Sequence, residues 1–180
     1  MKNAVFTFPV PANEPVKSYL KGSPERVALE AELKRQSGIE LDIPLIIGGK
    51  EVRTGNTGKV VMPHDHGHVL ATYHKAGPEE VKMAIKAALD AHDEWAELDW
   101  TVRASIILKI ADLLAGKYRA VINAACMLGQ SKNFYQAEID SACETIDFLR
   151  YNAAFASKIY GIQPKSGPNQ INSVEYRPLA

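Results

Sequence analysis

Apolar positions fall into two regimes along the chain, short β-rich runs before about residue 75 and a period near 3.6 after it. Residues 1–22 carry Pro9, Pro11 and Pro15 among mixed neighbours. Proline lacks a backbone donor and keeps the residue before it extended, so this stretch predicts an extended arm with one helical turn after Asn13. Ser23-Pro24-Glu25 then supplies an N-cap, a proline suited to the first helical position and an early acid. A helix is predicted from there to Gln36, with Gly38 as its stop. Ile43-Pro44-Leu45-Ile46-Ile47 leads through Gly48-Gly49 into Lys50-Glu51-Val52, which reads as a hairpin with Pro44 at an edge or at a strand beginning. Two more short strands are predicted over 59–62 and 69–74, around a histidine-rich loop.

From Gly77 the pattern turns helical. Pro78-Glu79-Glu80 opens a helix whose Val81, Ile85, Ala88, Leu89 and Trp95 recur near the helical period. Asp99 is placed to cap the next, with Trp100, Ala104, Ile107, Leu108, Ala111 and Leu114 on one face. Gly116 would cost about 1 kcal/mol inside a helix and so separates a second piece over 117–128, which Gly129 is expected to end. The last helix is predicted over 134–160, closed by Gly161 and Pro164. After a loop, residues 172–179 read as a strand. Its backbone donors and acceptors need a neighbour, so it is expected to pair with another copy or to fray.

The 180 residues suffice for one domain with a real core. The 21 basic and 21 acidic residues cancel, leaving no global field toward nucleic acid or an anionic membrane. No apolar run approaches the roughly 20 residues of a membrane span, and the proline-broken opening lacks the uninterrupted apolar core of a signal peptide. A cytoplasmic location is expected, with the mitochondrial matrix as the alternative. Cys126 and Cys143 both fall in helical patterns and read as reduced, packed thiols. No G-x-G-x-x-G, P-loop, G-x-S-x-G or H-E-x-x-H occurs, so the motifs do not locate nucleotide binding or hydrolysis in this span.

Three groups of residues are candidates for chemistry. His64-Asp65-His66-Gly67-His68 offers good metal donors, but alternate residues of an extended segment lie about 7 Å apart along it and converge poorly on one ion. A surface turn with Asp65 bonding nearby backbone is preferred to a metal site. On the last helix, Ile139, Ala142, Ile146, Leu149 and Ala153 form an apolar stripe, and Asp140, Glu144, Asp147 and Tyr151 follow one another on another face. Phe148 and Phe155 give Glu144 an aromatic surround, which marks it as the acid to bet on beside a ligand. Glu138 is expected to cap its helix or to pair with Lys132 or Arg103. Lys132 and Lys117 are expected to be solvated, and Arg103 and Arg150 to tie helices together.

Gly129-Gln130-x-Lys132, followed by Gln136-Ala137-Glu138-Ile139-Asp140, resembles the corresponding segment of the 1-pyrroline-5-carboxylate dehydrogenases, a branch of the aldehyde dehydrogenase superfamily. Ile47-Gly48-Gly49-Lys50-Glu51-Val52, the His-Asp-His turn and Trp100-Thr101-Val102-Arg103-Ala104 extend the resemblance over roughly residues 9–180. Ser131-Lys132-Asn133-Phe134-Tyr135 departs from the family's usual spelling, which keeps another aldehyde dehydrogenase branch in view. Enzymes of this branch are about three times longer, so the resemblance implies the N-terminal portion of an α/β aldehyde dehydrogenase-like fold. It divides the chain into an arm over 1–22, the helical front of the NAD-binding domain with short hairpins over 23–171, and the start of an oligomerisation flap over 172–180.

The activity implied is oxidation of L-glutamate gamma-semialdehyde to L-glutamate with NAD, in proline catabolism, through attack by a cysteine nucleophile and hydride transfer. The family's nucleophile, its general-base glutamate and its nicotinamide-binding lysine all match positions after Ala180. Neither Cys126 nor Cys143 stands in for the nucleophile. No residue here is therefore assigned a catalytic, NAD-binding or metal role, and the 180 residues alone are expected to be inactive. The resemblance puts Glu144 on the tunnel that admits the aldehyde, where its carboxylate would meet the substrate's α-ammonium group. Implied partners are the remainder of the parent chain, the small aldehyde and a second copy joined through 172–180. The rival expectation is a nonenzymatic helical module that binds a partner chain through the same strand and the long helix.

Overall fold

A computed structural model describes residues 8–177 and 179. Helix α1 spans Pro24–Ser37, with Ser23 Oγ accepting from the Arg26 amide and Gly38 at its end, as the sequence predicts. Strands β1 (Leu41–Ile43), β2 (Leu45–Ile47) and β3 (Lys50–Val52) follow, and Pro44 lies between the first two. β2 and β3 form the expected antiparallel hairpin, with Gly48 and Gly49 at φ 57° and 74°. Those positive angles suit the primed turns whose twist matches that of the strands. β4 (Thr57–Met62) and β5 (Asp65–His74) pair antiparallel, and β1 joins β5 in parallel to give the order β1-β5-β4.

Four longer helical stretches carry the rest. These are α2 (Pro78–Glu97), α3 (Trp100–Ala115), α4 (Arg119–Gln130), and a last stretch made of α5 (Phe134–Ala137), a π-helical segment (Glu138–Cys143) and α6 (Glu144–Tyr160). Asp99 caps α3 as predicted, accepting from the Thr101 amide at 2.8 Å. Arg103 donates to the carbonyls of Trp95, Ala96 and Leu98 and so closes the C-terminal end of α2. α4 packs between two apolar clusters. Tyr19, Leu29 and Ala124 form one with Leu33, Met127 and Phe134, while Ala111, Ala142 and Ile146 form the other with Leu114, Ile122 and Leu149.

Four local expectations are corrected. Gly129 does not end α4, which runs through it to Gln130. Ser131 takes the left-handed position instead, at φ 56°, with its Oγ 2.7 Å from His64 Nδ1. The predicted single helix over 134–160 is interrupted by the π segment, where the Glu144 amide reaches back to the Ile139 carbonyl. No helical turn follows Asn13, because the Glu14 and Lys17 amides donate to the carboxylates of Asp147 and Glu138 and not to carbonyls of their own segment. Residues 172–177 form no strand; the Asn172 and Val174 amides are satisfied by Ser166 Oγ and Gln163 Oε1. Pro178 of that expected strand, and Ala180 of the flap expected over 172–180, lie outside the described residues.

Candidate functional site

A groove of about 800 Å³ runs along one side of the π segment and α6. Its helical wall is built from Ile139, Glu144, Phe148, Tyr151 and Phe155, and its other side from Asn13, Glu14 and Val16 of the arm. Glu144 is exposed, and its carboxylate makes no hydrogen bond or salt bridge among the described residues. One turn further on, Phe148 is 60% exposed, so carboxylate and ring face the same open space. That combination suits a small ligand with a cationic group and an aliphatic body. The sequence expectation of Glu144 beside an aromatic wall thus matches the geometry.

Asp147 and Tyr151 share this groove with Glu144, but Asp140 does not. The extra residue per turn in the π segment rotates Asp140 toward a separate depression beside Cys126, where Lys132 Nζ bonds it at 2.8 Å. Asp147 accepts from the Glu14 amide at 2.7 Å and from Asn13 Nδ2 at 3.0 Å, and Tyr151 Oη donates to Asn13 Oδ1 at 3.0 Å. The helix face therefore holds the arm with two of its polar residues and leaves Glu144 open.

Beneath the groove lies an ionic cluster that the sequence reading misses. Glu138 is fully buried, and its partners are not Lys132 or Arg103. Arg119 and Asn123 of α4, Tyr19 Oη at 2.7 Å and the Lys17 amide at 2.8 Å all donate to its carboxylate. Arg119 also bonds the Glu14 carboxylate and the Pro15 carbonyl, and Arg150 bonds Glu14 from α6. Burial alone would push the Glu138 carboxyl up, yet Arg119 and the other donors hold it below the ordinary carboxylate value. Glu14 is lowered in the same way, by Arg119 and Arg150 against burial. Cys143, beside Arg119 and Glu138, is pushed up to about 11 by burial and by the Glu138 charge, which marks an inert packed thiol. A signal for the cluster exists in the sequence: Arg119 and Asn123 stand four apart in a helix whose neighbours Ile122, Ala124 and Met127 are apolar.

The histidine pentad divides between a turn at His64 and strand β5 from Asp65. Among the described residues no three His, Cys, Asp or Glu side chains gather as metal donors. Nor does Asp65 make the local backbone hydrogen bonds expected of it. Lys132 is paired with Asp140 and Lys117 lies over the Tyr118 ring, while Arg150 joins the arm to α6 and also approaches Asp112 of α3.

Residues 51–180 match the profile of the aldehyde dehydrogenase family. The chain belongs to the aldehyde dehydrogenase family. Among curated relatives within it, a delta-1-pyrroline-5-carboxylate dehydrogenase of Agaricus bisporus is 49% identical over 178 residues, covering 98% of this chain and 33% of its own length. The mitochondrial delta-1-pyrroline-5-carboxylate dehydrogenase of Homo sapiens is 46% identical over 168 residues, covering 93% of this chain and 30% of its own. The delta-pyrroline-5-carboxylate dehydrogenase of Mycobacterium tuberculosis, solved bound with NAD, superposes with a TM-score of 0.95 at 47% identity, over 99% of this chain and 34% of its own. The chain thus spans about a third of the length of these aldehyde dehydrogenases.

Proposed function

We propose that this span is the substrate-side front of an NAD-dependent dehydrogenase that oxidises L-glutamate gamma-semialdehyde to L-glutamate. The observation that carries this is Glu144, an open carboxylate flanked by Phe148 in the groove between α6 and the arm. A carboxylate there pairs with the substrate's α-ammonium group, and the aromatic ring covers its aliphatic chain. Identity of 46% or more to proteins named delta-1-pyrroline-5-carboxylate dehydrogenases supports this reading over a nonenzymatic interaction module. Residues 23–171 then form the helical front of the NAD-binding domain, behind the arm, and 172–180 begin a flap that joins a second subunit. Several relatives bear the word mitochondrial in their names, which supports a matrix location over the cytoplasm.

NAD supplies hydride acceptance in this reaction. Among the described residues, the strand-to-helix turn from β5 to α2 has a single glycine, Gly77, and its amide is taken by Glu80 Oε2 at 2.8 Å. A carboxylate seated on a helix N-terminus opposes a pyrophosphate there. This span does not by itself fit the cofactor, and the proposed enzyme holds NAD on other residues.

The test is Glu144→Gln in the full-length protein. Loss of the charge is expected to raise the aldehyde KM by about 10- to 100-fold, the weight of one charge-assisted contact, with a smaller change in kcat. An unchanged aldehyde KM would sink the assignment.

A further inference from the structure

The arm is held almost entirely through side chains. Residues 9–20 form no regular element and make no backbone-to-backbone hydrogen bond to the helices among the described residues. Their polar ties are the Asp147 and Tyr151 bonds to Asn13 and Glu14, the Arg119 and Arg150 bonds to Glu14, the Arg119 bond to the Pro15 carbonyl, and the Glu138 bonds to Lys17 and Tyr19. Tyr19 sits at φ 51°, a left-handed angle rare for a bulky residue, and its hydroxyl is fixed by Glu138 and Asn123. Strain of this kind persists only where the surroundings over-determine it. The same arm supplies Asn13, Glu14 and Val16 to the groove opposite Phe148 and Glu144.

We propose that Arg119, Glu138 and Arg150 are positioning residues for substrate binding, acting through Glu14 to clamp the arm as the second wall of the groove. The inference rests on the reading of the groove as the aldehyde site. Glu14 is the joint, because among the described residues it alone receives an arginine from α4 and another from α6. With the clamp closed, the distance between arm and α6 is preset, and the aldehyde enters a walled channel. With it released, the groove becomes an open face and the substrate loses contact area on one side.

The experiment compares Glu14→Gln, Asn13→Ala and Glu144→Gln in the full-length protein. Steady-state kinetics in both substrates are read with backbone hydrogen exchange over residues 9–20, α4 and α6. Both arm variants are expected to raise the aldehyde KM about tenfold while kcat moves less than about threefold and the NAD KM stays put. Exchange over 9–20 is expected to speed up with α4 and α6 unchanged. Asn13→Ala leaves the buried ions intact, so it stands in should Glu14→Gln fold poorly. An unchanged aldehyde KM in both arm variants, with a raised one in Glu144→Gln, overturns the clamp and leaves the groove assignment standing. An unchanged KM in Glu144→Gln overturns the groove assignment and the clamp with it. Faster exchange in α4 and α6 together with the arm also overturns the clamp, since the cluster would then be ordinary core.

Discussion

Arg119 is 3% exposed and Glu138 fully buried, so neither charge has water to fall back on. Replacing one partner strands the other, and Arg119→Met is expected to cost about 3–5 kcal/mol of unfolding free energy in chemical denaturation. Glu138→Gln keeps a hydrogen-bonding oxygen and is expected to lose less. The pH dependence follows from the direction of the shifts. Glu14 and Glu138 titrate lower in the folded protein than in the unfolded chain, so their stabilisation is full above the unfolded value of about 4.3 and disappears as pH falls through the folded values. Acid unfolding curves are expected to steepen below about pH 4.3, and Glu138→Gln to flatten that slope. At this scale helical spacing puts Glu144 one turn from Phe148, and only the family resemblance puts it beside a ligand. The sequence hides Glu138, because its partners lie 15 to 121 residues away and the one local sign, Arg119 and Asn123 four apart in an apolar helix, does not say which acid they meet.

Elements opened by proline or closed by a capping residue are the ones legible in the chain: α1, α2, the β2–β3 hairpin and α3 start or stop where Ser23, Pro78, the Gly48-Gly49 pair and Asp99 predict. The π segment is illegible to a reading tuned to 3.6 residues per turn, since one extra residue looks like ordinary drift. It faces Glu138 and Cys143, five apart, into the same buried cluster. That extra residue makes a specific deletion tolerable. Removing Ser141 is expected to let the segment close to α-helix and keep α6 in register, for about 1–2 kcal/mol that includes the lost Ser141 bond to the Ile122 carbonyl. Removing Asn152 from regular α6 turns every later side chain by about 100° and is expected to cost more than about 4 kcal/mol by urea unfolding. Similar costs for the two deletions would show that the π turn absorbs nothing.

For the whole molecule, the apolar residues left outside are informative. Val81, Ile85 and Leu89 on α2 and Ile46 on β2 are largely exposed, which suits a span that meets further protein in relatives three times its length. Residues 172–177 were expected as a strand and pair in no ladder among the described residues, where side chains of Ser166 and Gln163 take the Asn172 and Val174 amides instead. If they pair across subunits, Glu175→Pro should block one ladder bond and lower the oligomer mass in light scattering, with helical circular dichroism retained. The arm carries a different consequence, one of timing. Asn13 finds its acceptor 134 residues downstream, and at ribosomal speeds that delay is on the order of ten seconds. Through that interval Asn13 waits for Asp147 after Arg119 and Asn123 have already been made, so the arm is seated from its Tyr19 end first and its Asn13 end last.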